Sequence, residues 1–230
     1  MELTKYTQKM FDIIPVVDGF KRCPTGDYSD IKVFKDFCAF KPNCLFGNHC
    51  GFGRGCSFGS RCVFGEGCCF GLLCDFRSEC EFGEFCKFTS WCRFDNKCKF
   101  DFQCDFGARC RLKNNCYIGS DCSFGKCCEF GMFCDFEECC SFGDDCIFGK
   151  HCICEFGEFN KMISCGGFGH EQRTSYFFHI INGGIYVRCG CFSGSLDKWK
   201  MKVSETHRGT YLETAYLALI PAVKAQFSAD

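Results

Sequence analysis

The sequence predicts a mainly-β solenoid with an N-terminal cap and a small C-terminal α+β domain. Three observations predict it. Twenty cysteines occupy every sixth position from Cys38 to Cys152. Two residues after each of the first nineteen stands Phe, replaced only by Leu112 and Ile118, and Gly follows in twelve of those units. Beyond residue 156 the hexads give way to ordinary strand and helix patterns. A six-residue unit is too short to bury its own apolar side chains, so it must stack on copies of itself.

Residues 1–37 read as a cap with imperfect first rungs. Leu3, Tyr6, Met10, Ile13 and Ile14 stand near helical spacing until Pro15 stops the run. Tyr28 and Phe34 already keep the six-residue phase. Such a cover is needed, because unpaired strand edges and bare rings at an open end would aggregate. Residues 38–156 form the solenoid. Cys and Phe, two apart in an extended segment, face the same way. Gly after Phe is expected to supply the backbone angles of a corner. Cys152-Ile-Cys154-Glu-Phe156 then inserts two residues and ends the phase.

Residues 157–230 read as ββαα. Residues 176–180 and 185–189 flank Asn182-Gly183-Gly184, a hairpin signal. Ser195 caps a helix with Leu196, Trp199 and Val203 on one face. Thr210 and Glu213 form a capping box for a last helix bearing Leu212, Tyr216, Leu219 and Val223. Pro221 should kink or split that helix.

Read from Phe, the unit F-G-x-x-C-x resembles the hexapeptide repeat of the left-handed parallel β-helix, aliphatic-Gly-x-x-small-x, over residues 38–156. Phe takes the aliphatic slot and Cys the small one, so the paired volume is about conserved, as close packing needs. The resemblance implies left-handed winding and a triangular coil of three hexads. Many enzymes of that family are acyltransferases whose catalytic His and cofactor contacts sit on loops between coils or at subunit clefts. No loop interrupts the hexads between Cys38 and Cys152, and His49 and His151 read as surface residues just before a Cys. The stretch from Tyr176 to Val203 resembles segments of uncharacterised bacteriophage and prophage proteins.

The chain has 230 residues and a formal net charge of −1, so no global field argues for nucleic acid, a membrane or an acidic substrate. Residues 1–20 lack the apolar stretch of a signal peptide, and no later segment approaches a membrane span. The expected place is the cytoplasm, or the host cytosol for a phage-encoded protein. There the 28 cysteines should stay reduced as small buried hydrophobes. Cys165, His170, Cys189 and Cys191 are the zinc candidates. Their C-x-C pair is tighter than usual structural spacing, and the reading is no metal and no cofactor. Gly166-Gly-Phe-Gly169 lacks a following Lys-Ser/Thr and reads as a linker.

The outward positions say more. With three hexads per coil, the face begun by Cys44 and repeated to Cys134 carries Glu66, Glu81, Glu84, Asp101, Asp121, Asp135, Glu137 and Glu138, against Lys99 alone. The face begun by Cys38 carries Lys41, Arg61, Arg77, Arg93, Lys97, Arg111, Lys113 and Lys150 against Asp75, Glu79, Asp95 and Glu129. The third face, with Arg54, Lys87, Arg109 and Lys126 against Asp105, Asp144 and Asp145, is nearly balanced and exposes Leu72, Leu73 and Trp91. Like charges one coil apart repel, and a partner that needs the field accounts for tolerating them. Large apolar groups such as Leu73 and Trp91 often mark interfaces.

These features point to a non-catalytic binding protein. Its concrete form is a phage-encoded inhibitor that offers the acidic face to a host nucleic-acid-binding or defence factor. Pentapeptide-repeat proteins that imitate DNA are an analogy of shape only. Two alternatives stand beside it: a trimeric hexapeptide acyltransferase, and a self-assembling structural or virion component with Leu73 and Trp91 in a homo-oligomer interface.

Overall fold

The computed structural model describes residues 3–143, 145–168 and 173–228. Asp144, Gly169 and His170 lie outside them. The chain divides into two units, residues 1–149 and 150–230.

In the first unit each hexad contributes a short strand ending on the Phe position. Strands three hexads apart pair in parallel, as Asp75 with Arg93 and Phe76 with Phe94. The result is a three-sided β-solenoid of about seven turns. One face, from Val33–Phe34 to Ser141–Phe142, counts seven strands.

The interior is built from rings in two geometries. Within a face they stack, with Phe58–Phe76 centroids 4.8 Å apart and planes 3° from parallel. Strand spacing imposes that repeat. Between faces they meet edge-on, as Phe64–Phe70 at 5.0 Å and 87°. Each ring thus sets its positive edge against a neighbour's negative face, the favoured aromatic arrangement. Leu112 and Ile118 keep the same slot and are fully buried.

Cysteine answers a separate need. Among the described residues, the backbone ladder leaves the carbonyl after each mid-solenoid Phe without an N–H partner. The thiol of the next coil supplies one: Cys74 donates to the Gly53 carbonyl at 3.5 Å, Cys80 to Gly59 at 3.4 Å and Cys98 to Arg77 at 3.5 Å. Ala or Val in this slot would leave that part-buried carbonyl without its donor, which is costly. Hydrogen bonding to the thiol one coil back, ahead of burial, pushes Cys56 and Cys74 up to about 12, against an opposing contact with the thiol one coil on. Both stay protonated at neutral pH.

The corners differ from expectation. The Gly after Phe does not turn them; the residue before Cys does. Its φ is +57° at Phe37, +60° at Leu73, +66° at Trp91 and +58° at Phe133. The Gly marks close approach between coils. A Cβ at Gly59 would stand 2.3 Å from the Pro42 nitrogen, and one at Gly125 2.6 Å from the Ala108 nitrogen.

The cap is also shorter than the apolar spacing suggests. Its helix spans only Gln8–Asp12, with the Thr7 hydroxyl accepting from the Met10 N–H. Met10 and Ile13 are exposed, and the buried residue is Phe11. Phe11 meets Phe34 edge-on at 5.2 Å, while Tyr6 stacks on Tyr28 at 4.6 Å. These rings cover the first coil.

The second unit holds the expected hairpin, with Phe177 opposite Val187 and His179 opposite Ile185. The ββαα reading is too small. Strands Gly157–Phe168 and Phe192–Ser195 flank the hairpin in an antiparallel sheet, which replaces the linker expected at Gly166. Helix Leu196–Thr206 starts at Ser195, whose hydroxyl accepts from Lys198 N–H. Leu196, Trp199 and Val203 join Phe177, Val187 and Tyr216 in one core. The capping box at Thr210 is not formed. The Thr210 hydroxyl donates to the His207 carbonyl at 2.7 Å, and Glu213 accepts from Gly209 N–H at 2.7 Å. Helix Tyr211–Phe227 runs through Pro221 without splitting.

Candidate binding faces of the solenoid

The 18-residue register turns outward positions into columns. On the acidic face the first residues of the strands form one: Leu45, Val63, Glu81, Lys99, Tyr117 and Asp135. Glu66 and Glu84 occupy another at the corner, and the backbone locks them in step: Gly67 N–H donates to the Glu84 carbonyl at 2.8 Å and His49 N–H to that of Glu66 at 2.7 Å.

Three of the eight acids are engaged: Glu81, Glu137 and Asp101, whose carboxylate accepts from the Phe102 N–H at 2.8 Å. Glu81 pairs with Lys99 at 3.7 Å. Glu137 accepts from the Tyr117 hydroxyl and from Ser120, whose hydroxyl lies at 2.8 Å. Those donors, Tyr117 first, hold the Glu137 carboxyl below its usual range. Among the described residues, Glu66, Glu84, Asp101, Asp121, Asp135 and Glu138 have no cation within 4.0 Å. Burial, then the charge of Glu137, pushes the Asp135 carboxyl up.

The basic face is arranged the other way. Asp75, Arg93, Arg111 and Glu129 form one column, and Arg77, Asp95 and Lys113 lie beside it. Within the face Arg111 pairs with Glu129 at 2.7 Å, Lys113 with Asp95 at 2.7 Å and Arg77 with Asp95 at 3.5 Å. Arg93 meets Asp75 and Arg61 meets Glu79, both at 3.9 Å. Five of its eight cations are thus paired, and Lys41, Lys97 and Lys150 have no carboxylate within 4.0 Å among the described residues.

Leu73 and Trp91 do stand one coil apart, 40% and 47% exposed. Leu72 is exposed beside them. Sequence reasoning missed one member of their column, Phe37, whose ring lies over Gly55; Arg109, already placed on this face, proves to hold its guanidinium 4.8 Å above the Trp91 ring. Counting 18 residues from Trp91 finds Arg109. Phe37, three coils before Trp91, carries no motif.

The remaining candidates do not assemble. His49 is exposed, and His151 Nδ1 lies 2.6 Å from Glu158. Cys165 and Cys189 stand on either side of Ser175 across three strands, about 10 Å apart by strand spacing. The Ser175 hydroxyl donates to Cys189 Sγ at 3.0 Å, and Cys191 is exposed. Among the described residues no group of three or more His, Cys, Asp or Glu is arranged to hold a metal. Nor is any of their helices long and apolar enough to cross a membrane. No protein-family model, curated protein or solved structure matches the chain.

Proposed function

We propose that the protein is a non-catalytic binding protein whose acidic face captures a basic, nucleic-acid-binding protein. The observation that carries this reading is the contrast in pairing: five of the eight cations of one face are matched to acids, while on another face only Glu81 of eight acids has a cation within 4.0 Å among the described residues. A surface selected only for solubility has no reason to mix both signs on one face and gather nearly all acids on another.

Charge density supports the choice of partner. Eight carboxylates less Lys99 leave seven negative charges on a face where Glu66 and Glu138 lie four coils apart. At about 4.8 Å per coil that is one charge per ~2.7 Å. Single-stranded nucleic acid carries one per ~3.4 Å and duplex DNA one per ~1.7 Å. A site shaped for a phosphate backbone meets a comparable field here. The likeness of residues 176–203 to phage proteins fits an inhibitor of a host factor.

The test is affinity capture from nuclease-treated bacterial lysate, with mass spectrometry of what co-elutes. The expected partner is basic, binds nucleic acid, leaves the column as salt rises and competes with duplex DNA. A neutral partner that is insensitive to salt overturns the reading.

A further inference from the structure

We propose that the third face carries a second docking surface, independent of the acidic one, for an acidic segment with apolar side chains. Its spine is the column Phe37, Leu73 and Trp91. Each of these residues is 40–47% exposed and each sits in the left-handed backbone region. At such a position Gly or Asn is the least strained choice, and a bulky side chain costs about 1–2 kcal/mol. The coil therefore sets the backbone; Phe37 meets Phe20 edge-on at 5.7 Å, but the backbone does not ask for Leu or Trp at the other two. Phe85 and Phe133 share the strain and the exposure on other faces, but only Phe37, Leu73 and Trp91 fall in one column, where function is expected.

Charge identifies the occupant. Arg54, Lys87 and Arg109 flank the spine, and among the described residues none has a carboxylate within 4.0 Å. The acids nearest in sequence register are already held: Asp36 accepts from the Arg54 N–H at 2.8 Å, and Asp105 from the Ser123 hydroxyl at 2.6 Å. The surface thus offers apolar area with unmatched positive charge. A second copy of this face would bring like charges together. Nucleic acid fits less well, because Arg109 already covers a face of the Trp91 ring and Glu66 and Glu84 stand at the corner that leads from the acidic face into this one. An acidic, aromatic- or leucine-containing peptide satisfies both halves of the surface.

The experiment is selection of a random 12-residue peptide library on the immobilised protein. Recovered peptides are then measured by fluorescence polarisation. The proposal expects a class rich in Asp or Glu with Leu, Phe or Trp. Leu73→Asn with Trp91→Asn should weaken that class at least about tenfold, and Asn accepts the left-handed backbone, so the fold is kept. Arg54→Glu with Arg109→Glu should do the same. Basic peptides held by the acidic face should be untouched by either pair, which separates failure here from failure of the function proposed above. Absence of the acidic–apolar class, binding unchanged in both variants, tighter binding of a 12-nucleotide single strand, or a concentration-dependent dimer lost in the Asn variant would each overturn it.

Discussion

The acidic and the ion-paired faces share one backbone, one aromatic core and one register, yet treat charge in opposite ways. Arg111 has Glu129 at 2.7 Å, one coil on, whereas Glu84 has Glu66 one coil back and no cation within 4.0 Å. The interior asks for the same pair at nearly every rung, Cys to feed a carbonyl and Phe to fill the stack, with Leu112 and Ile118 the two replacements. The exterior is free to vary. Differences between faces therefore report on what surrounds the molecule, and identities between rungs report on what holds it up.

The largest expected effect tests the shared interior. Phe94→Ala removes a ring stacked on Phe76 and edge-on to Phe88 and Phe100. It should cost about 3–5 kcal/mol, and hydrogen-exchange protection should drop on all three faces around that coil. Loss confined to one face would mean the faces are separately supported.

Breaking the paired face should cost less. Arg93→Glu with Arg111→Glu replaces two ion pairs with like-charge contacts to Asp75 and Glu129, worth about 1 kcal/mol in denaturant midpoint because all four groups are largely exposed. Reversing the stranded acids should be milder still. Glu66→Lys with Glu84→Lys breaks no hydrogen bond or ion pair of either side chain among the described residues and should shift stability by less than about 0.5 kcal/mol, or raise it. An equal loss from both pairs would erase the contrast.

The smallest effect is a titration. Tyr117→Phe removes the first donor to Glu137, so its carboxyl should titrate nearer the ordinary value of about 4.3. The sign follows from linkage. A carboxyl lowered in the folded state stabilises above its unfolded value, and that stability is lost as pH falls through the folded one. The variant should lose less between pH 5 and pH 3, followed by NMR.

Much of this was legible before any coordinates. Period six fixed which residues face inward, and multiples of 18 named the members of each face. The corner was not legible, since Phe37, Leu73, Trp91 and Lys97 share a positive φ and no chemistry. Gly misled there, because a residue needed for close approach looks the same in sequence as one needed for a turn. The strands Gly157–Phe168 and Phe192–Ser195 carry little alternation and were hidden for that reason. Pairing within the basic face depends on side-chain reach, which spacing does not contain.

The central claim is that unmatched acids make the binding face. The most direct measurement is capture of the co-purified partner by three proteins: wild type, Glu66→Lys with Glu81→Lys and Glu84→Lys, and Arg93→Glu with Lys97→Glu and Arg111→Glu. All three are first shown to be folded by circular dichroism. The account predicts that the acidic-face variant loses capture while the basic-face variant retains it with the wild-type salt dependence. Equal capture by all three, with loss only on Trp91→Ala, would contradict the account and move the interface to the third face.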